Sequence, residues 1–221
     1  MFALKCARKE WRELRILVIG AAGRIGRIVV EKALGHGHDV RAFVHQTPLA
    51  LAHPRLEVVS GDVVRFEDVE RAVTGCDAVV FAVASGGARD SRIHSEGVGH
   101  VLHAMAAHEV TRLAAVSAAG VFARKDPHLS VGFKAMISTV LRATYDDLER
   151  MEQRVAASGV SWTIVRPVGL SDAPSTGHYR VSLDGSILPK SARIPRTDVA
   201  SVLLKAVETG TFDRHTLLIA Q

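Results

Sequence analysis

The residues best spaced for chemistry are three glycines in the run Gly20-Ala21-Ala22-Gly23-Arg24-Ile25-Gly26. The aliphatic stretch 14–19 (Leu-Arg-Ile-Leu-Val-Ile) ends at Gly20, and a pattern with apolar residues at 25, 28, 29 and 33 follows Gly23. A strand that turns on glycines into a helix is the context in which this spacing binds a pyrophosphate. Gly20 permits the tight turn, Gly23 lets the backbone approach the ligand, and Gly26 lets the helix pack on the strand. The free amides around Ala22, Arg24 and Ile25 and the positive end of the helix dipole then face the anion. The chemistry expected is dinucleotide binding. The bland alternative is an ordinary strand–helix turn, which glycines alone do not exclude.

An acid at the end of the second strand would bind the ribose 2′-hydroxyl of NAD and repel a 2′-phosphate. Here that strand ends Ala42-Phe43-Val44-His45-Gln46, without an acid. The expected cofactor is therefore NADP, as NADPH, ahead of NAD, with Arg24 and His45 as partners of the 2′-phosphate. For Arg24 the alternative is a solvated surface cation. Ligands of such sheets lie beyond the carboxyl ends of the strands. This places Asp62 and Val63 at the adenine edge and Ala82, Val83 and Ala84 along the middle of the cofactor. Ser117 falls beside the nicotinamide, with Arg166, Pro167 and Val168 at the end of the sixth strand. Ser117 is the one catalytic candidate. Its hydroxyl can hold the nicotinamide amide or the substrate, or merely satisfy a backbone group. No Gly-x-Ser-x-Gly turn surrounds it, so it is not a hydrolase nucleophile. Arg166 can bind an anionic group or make a structural ion pair.

The elements that must position these residues follow from periodicity. Strands are expected at 14–19, 40–44, 56–59, 78–83, 113–116, 162–165, 179–183 and 216–220. The sixth is stopped by Arg166-Pro167, and the seventh turns at Asp184-Gly185. Helices are expected at 24–34, 66–73, 91–108, 133–157 (with a break near Thr144) and 197–208. The alternation predicts an α/β chain, a doubly wound parallel-sheet Rossmann fold with a small C-terminal substrate-binding portion. A single NAD(P)-binding domain covers 14–221, after an N-terminal extension at 1–13.

Composition narrows the rest. The net charge is +5, but basic residues are scattered apart from Lys5, Arg8, Lys9, Arg12 and Arg15. Without a basic stripe interleaved with aromatics, nucleic acid is not an expected partner. Cys6 and Cys76 have neither zinc nor disulfide spacing, which suits a reducing cytoplasm. No run of about 18 apolar residues exists, so no membrane span is expected. His94, His100, His103 and His108 lack an accompanying carboxylate pattern, so no metal is expected. The expected assembly is a monomer or homodimer.

Longer motifs add a family. The glycine turn, Ser60-Gly61-Asp62-Val63, Ser95-Glu96-Gly97, Tyr145-Asp146-Asp147 running on to Ala157-Ser158-Gly159, and the tail from Asp172 to Tyr179 with Leu183-Asp184-Gly185 and 194–199 are the evidence. With these the chain resembles the atypical, NmrA-like NAD(P)H-binding branch of the short-chain dehydrogenases/reductases. It is most similar there to the biliverdin-IXβ reductase/flavin reductase group. The resemblance implies a reductase that binds NADPH first and reduces a planar acceptor, a flavin or tetrapyrrole, with Ser117 at the position of the active-site serine. Segments 85–90 and 168–178 would form the acceptor cleft. A histidine of that group falls at about Gly169 and is missing, which argues against biliverdin. The superfamily's Tyr-x-x-x-Lys pair is also missing, since Tyr145 is followed by Glu149. Flavin or quinone reduction tolerates that loss. So does a non-catalytic NAD(P) redox sensor that acts through a protein partner. A nucleotide-sugar epimerase or dehydratase is the weakest alternative.

Overall fold

The structure is a computed structural model that describes residues 12–84, 92–123, 141–183 and 193–221. In chain order the elements are β1 (Arg15–Ile19), α1 (Arg24–Gly35), β2 (Asp39–Val44), β3 (Leu56–Ser60), α2 (Phe66–Val73), β4 (Ala78–Phe81), α3 (Ile93–Ala107) and β5 (Arg112–Val116). Then follow α4 (Gly120–Ala123), α5 (Arg142–Ala156), β6 (Ser161–Pro167), β7 (Gly169–Ser171), β8 (Arg180–Ser182), β9 (Arg193–Pro195), α6 (Arg196–Thr209) and β10 (His215–Ala220).

Eight strands make one sheet in the order β3-β2-β1-β4-β5-β6-β10-β8. Seven are parallel, and β8 closes the edge antiparallel to β10. The central strands bury both faces: all four residues of β4 (Ala-Val-Val-Phe) are inaccessible, as expected of parallel strands covered on two sides. One core layer packs Val29, Val30, Ala33 and Leu34 of α1 with Val199, Val202, Leu203 and Val207 of α6 against the sheet. The other packs α2, α3 and α5 through Val69, Val101, Met105, Met151 and Val155. The expected doubly wound Rossmann fold is present. Strand order reverses between β1 and β4, and such a switch point opens a crevice at the carboxyl ends.

Several boundaries differ from expectation. β4 ends at Phe81 rather than 83, which leaves Ala82 and Val83 in the loop that follows it. β6 runs through Arg166-Pro167, because its terminal pair, Pro167 with Ile219, is the last rung and needs no further proline donor. β7 and β9 form a separate two-stranded parallel sheet. Each is three residues long, too short to show a period. The expected turn at Asp184-Gly185, the helical start at 133–140 and the cleft segment 85–90 lie outside the described residues.

Candidate functional site

The glycine turn is shaped by contacts that leave no room for side chains. Gly20 has φ +81°, and a Cβ there would stand 2.5 Å from the carbonyl oxygen of Ala82. A Cβ on Gly26 would sit 2.8 Å from the carbonyl carbon of Gly20 and closer still to its oxygen. The amides of Gly20 and Ala21 donate to the carbonyl of Phe43 in β2, 3.2 Å each, and Gly23 donates back to Gly20 at 2.9 Å. Gly23 is the N-cap of α1 and makes no side-chain cap bond, and no acid lies in the first turn. The helical ladder begins with Arg27 donating to Gly23 at 2.9 Å. The amides of Arg24, Ile25 and Gly26 therefore have no helical acceptor. A cradle of open amides at a helix N-terminus, where a Ser or Asp cap would otherwise compete, fits a pyrophosphate.

The adenosine end is less simple than the second strand alone suggests. His45 lies at the end of β2, 59% exposed, and its Nε2 is 3.8 Å from a carboxylate oxygen of Asp62. Asp62 thus brings from β3 the acid that β2 lacks. The Asp62 amide donates to Asp68 at 3.0 Å, and the Val64 amide donates to Asp62 at 3.1 Å, so the carboxylate is fixed by its own turn. Val63 is buried against Gly97 of α3, where a Cβ would come within 2.8 Å of its side chain. Arg24 is exposed at the first turn of α1. Its guanidinium pairs with Asp172, which also accepts from Arg196 at 2.7 Å. Arg24 is therefore an ion-paired residue that ties α1 to the segment after β7, rather than a free cation.

Ser117 follows β5, 5% exposed, with its amide bonded to Val165 at 2.8 Å. Its hydroxyl donates to Oε1 of Glu152 at 2.5 Å. Glu152, on α5, is 7% exposed and accepts from Arg166 Nε at 2.8 Å, with a second contact to the Arg166 guanidinium terminus. Ser117 and Arg166, two strand-end residues expected at the cleft, are thus joined by a carboxylate the sequence did not single out. Its only advance signal is its place one turn past Leu148 on the buried face of α5. Pro167 accepts from the Ala119 amide at 3.1 Å, and Val168 donates to Ile219 at 3.2 Å.

α5 carries two more groups to this end. The ring of Tyr145 lies so close to Gly120 that a Cβ there would overlap it. Burial pushes the Tyr145 phenol above its ordinary value near 10. Asp147 is inaccessible and caps α3: it accepts from the amides of His94 at 2.9 Å and Ser95 at 3.2 Å, from the Ser95 hydroxyl at 2.5 Å and from His94 Nδ1 at 3.0 Å. Burial pushes this carboxyl up, but the bonds from Ser95 and His94 outweigh it and hold the group below the ordinary carboxylate range. Two motifs of the resemblance, around Ser95 and around Asp147, are thereby one contact. His94 is a capping residue. His100 and His103 stack near Phe66, with ring centroids 6.0 and 4.8 Å away.

Beyond Asp172, Ser175 donates to the buried Asp198 at the start of α6, and the Gln221 side chain donates to Thr176 at 2.8 Å. These bonds tie the 172–176 stretch to the start of α6 and to the residue after β10. At the opposite end of the sheet, His36, His38 and Glu208 lie together, their ligating atoms within 4.8 Å of one another. His38 Nδ1 accepts from the Leu14 amide at 3.3 Å, so its proton is on Nε2, pointing at Glu208 2.9 Å away. That arrangement is a histidine–carboxylate hydrogen bond. A metal ligand would instead donate from its second ring nitrogen.

An amide cradle at the switch point of a doubly wound sheet defines a Rossmann-type dinucleotide-binding protein. The chain belongs to the NAD(P)H-binding family, whose model matches residues 20–209, and this bears out the resemblance to the atypical, NAD(P)H-binding short-chain dehydrogenases/reductases. It is 25% identical over 206 residues to an uncharacterized sugar epimerase of Bacillus subtilis, covering 88% of each chain. It is 35% identical over 102 residues to a 3-beta-hydroxysteroid dehydrogenase of Mycolicibacterium neoaurum, covering 41% of this chain and 28% of that one. Among solved structures, a Veillonella parvula short-chain dehydrogenase/reductase in complex with NADP has a TM-score of 0.77 at 16% identity, covering 95% of each chain. A Streptococcus pneumoniae protein provisionally assigned as an NADH-flavin reductase has a TM-score of 0.75 at 23% identity, covering 94% of this chain and 99% of that one. Both structural likenesses establish the fold. Among the described residues no helix is long and apolar enough to cross a membrane.

Proposed function

We propose that the protein is an NADPH-dependent reductase of a planar redox acceptor, a flavin or quinone, acting in the cytoplasm. Tyr145 carries this reading. It is followed by Glu149 where a relay lysine would stand, and burial raises its phenol pKa. A tyrosine acid needs the opposite, a neighbouring cation that lowers its pKa. Reduction of a simple carbonyl therefore lacks its acid, whereas flavins and quinones carry their own electronics and take their protons from solvent. NADPH supplies the hydride when bound.

The residues of this chain bind and orient. Gly20, Gly23 and Gly26 with the amides of Ala22, Arg24 and Ile25 take the pyrophosphate. His45, beside Asp62 and Val63, meets the adenosine end. Ala82, Val83 and Ala84 floor the middle, and Ser117 stands by the nicotinamide with Arg166, Pro167 and Val168 behind it. The acceptor lies against the nicotinamide next to the 168–178 segment, as monomer or homodimer.

The test is NADPH oxidation by the purified protein with FMN, FAD and menadione, alongside calorimetry with NADPH and NADH. Turnover of at least one acceptor is expected, with NADPH bound more tightly than NADH. Tight NADPH binding without turnover of any of the three would overturn the reductase reading. That outcome would favour the second reading, a redox sensor acting through a protein partner, to which the tying-up of both Ser117 and Arg166 by Glu152 also points.

A further inference from the structure

We infer that Glu152 is a positioning residue that fixes the polarity of Ser117, so that Ser117 meets its ligand as a hydrogen-bond acceptor for an N–H group and not as a proton donor. This rests on the placement of Ser117 beside the nicotinamide proposed above. A hydroxyl has one proton and two lone pairs. The Ser117 proton is given to Glu152 Oε1 at 2.5 Å. Glu152 is a carboxylate facing the Arg166 guanidinium, with Nε 2.8 Å from the same oxygen. It has no proton to return. Turning the Ser117 hydroxyl toward the cleft would leave a buried carboxylate oxygen short of one donor, which is costly at 7% exposure.

The Arg166 guanidinium meets both oxygens of Glu152, and β6 and α5 hold the two ends of the pair. The serine oxygen therefore offers lone pairs alone. The ligand group it selects is an N–H, and two such groups belong near it: the carboxamide NH2 of the nicotinamide and an N–H on the edge of the acceptor, such as N3–H of a flavin. A ketone or aldehyde oxygen in that position would meet a lone pair, which explains in atomic terms why Ser117 is not a carbonyl-polarising group here.

The experiment compares the unmodified protein with its Ser117→Ala, Glu152→Gln and Glu152→Asp variants. Glu152→Asp retains a counter-ion for Arg166 while drawing the carboxylate back from Ser117, so it covers the case in which Glu152→Gln fails to fold. One arm measures dissociation constants for NADPH and for its 3-acetylpyridine analogue, which lacks the carboxamide NH2. The other measures KM for lumiflavin and N3-methyl-lumiflavin. Binding of 2′,5′-ADP reports an intact adenosine end.

The expected result is a preference of about tenfold for the N–H-bearing ligand in one arm, the size of one hydrogen bond. That arm identifies the source of the N–H. Ser117→Ala abolishes the preference, and the Glu152 variants reduce it to within about twofold, with 2′,5′-ADP binding unchanged. The inference is overturned if the unmodified protein shows no preference in either arm, or if folded Glu152 variants keep it. Failure to reduce any flavin or quinone while the carboxamide preference persists would sink the reductase reading alone and leave this assignment standing.

Discussion

The two ends of the crevice are built from different material. At the proposed nucleotide end the groups on offer are backbone amides between Gly20 and Gly26, set by seven consecutive residues and closed against Ala82 and Phe43. At the end where we propose the acceptor binds, the polar groups are side chains from distant parts of the chain: Ser117, Glu152 and Arg166 in one cluster, and Arg24, Asp172 and Arg196 in another. A backbone site depends on the absence of side chains and tolerates none. A side-chain site depends on partners and can be retuned one partner at a time.

The largest effect expected is at the backbone end. Gly26→Ala places a methyl group against the carbonyl of Gly20, a contact that only movement of α1 or of the turn relieves. Calorimetry should show NADPH affinity reduced by about a hundredfold or more, with stability lowered by about 2–3 kcal/mol as for other overpacked sites. Retention of NADPH affinity within about threefold would mean that the turn does not hold the pyrophosphate, and the contrast between the ends would collapse.

Next in its effect on NADPH binding, though larger in stability, is a cut through the scaffold of the proposed acceptor end. Asp147→Ala removes a buried carboxylate that accepts four hydrogen bonds from His94 and Ser95 and joins α5 to α3. Chemical denaturation should show a loss of about 3–5 kcal/mol, the usual cost of leaving buried donors unpaired. Because Tyr145 and Glu152 ride on the same helix, kcat should fall more than the affinity for 2′,5′-ADP. Equal loss at both ends would show them to be one cooperative unit.

What the sequence reveals divides along the same line. The glycine turn, the order of strands and helices, and the buried strands β1, β2 and β4 are local patterns, and each was legible. Glu152 was not, because a glutamate on an amphipathic helix looks the same whether it faces solvent or a serine 35 residues away. Arg24 read as a free cation because Asp172 is 148 positions distant. Asp62 was expected at the adenine edge, but its approach to His45 was not legible, because the two residues follow different, neighbouring strands, β3 and β2. The short strands β7 and β9 make one small sheet by tertiary contact, with no periodicity to announce it.

The adenosine edge is where the nucleotide end itself uses side chains, so it should be tunable. Asp62→Asn removes the carboxylate 3.8 Å from His45. The ratio of NADH to NADPH dissociation constants should shift toward NADPH by about two- to fivefold, the scale of an exposed charge interaction. His45→Arg should add a similar factor. No shift, or a shift toward NADH, in both variants would place the 2′-phosphate away from His45 and Asp62.

The smallest effect on the crevice is expected from Glu208, which lies at the far end of the sheet and serves as the control for both ends. Its side chain is 3% exposed and accepts from His38 Nε2 at 2.9 Å and His36 Nδ1 at 2.6 Å. Burial pushes its carboxyl up, but the hydrogen bonds from His38 and His36 outweigh it and hold the group below the ordinary value of 4.5. A carboxyl lowered on folding contributes stability that is complete above its unfolded pKa and is lost as pH falls through the folded one. Glu208→Gln should therefore cost about 1–2 kcal/mol at pH 7, seen as a melting temperature lower by roughly 3–8 °C. The difference from the unmodified protein should shrink as pH drops below about 4.5. NADPH affinity should stay within about twofold. A constant difference in melting temperature across the acid range would mean that the Glu208 charge contributes nothing, and that the contact acts through packing around His38 alone. A large loss of NADPH affinity would show that the sheet transmits strain from its amino-terminal edge to the glycine turn, and the two ends of the crevice would then no longer be separable from the scaffold beneath them.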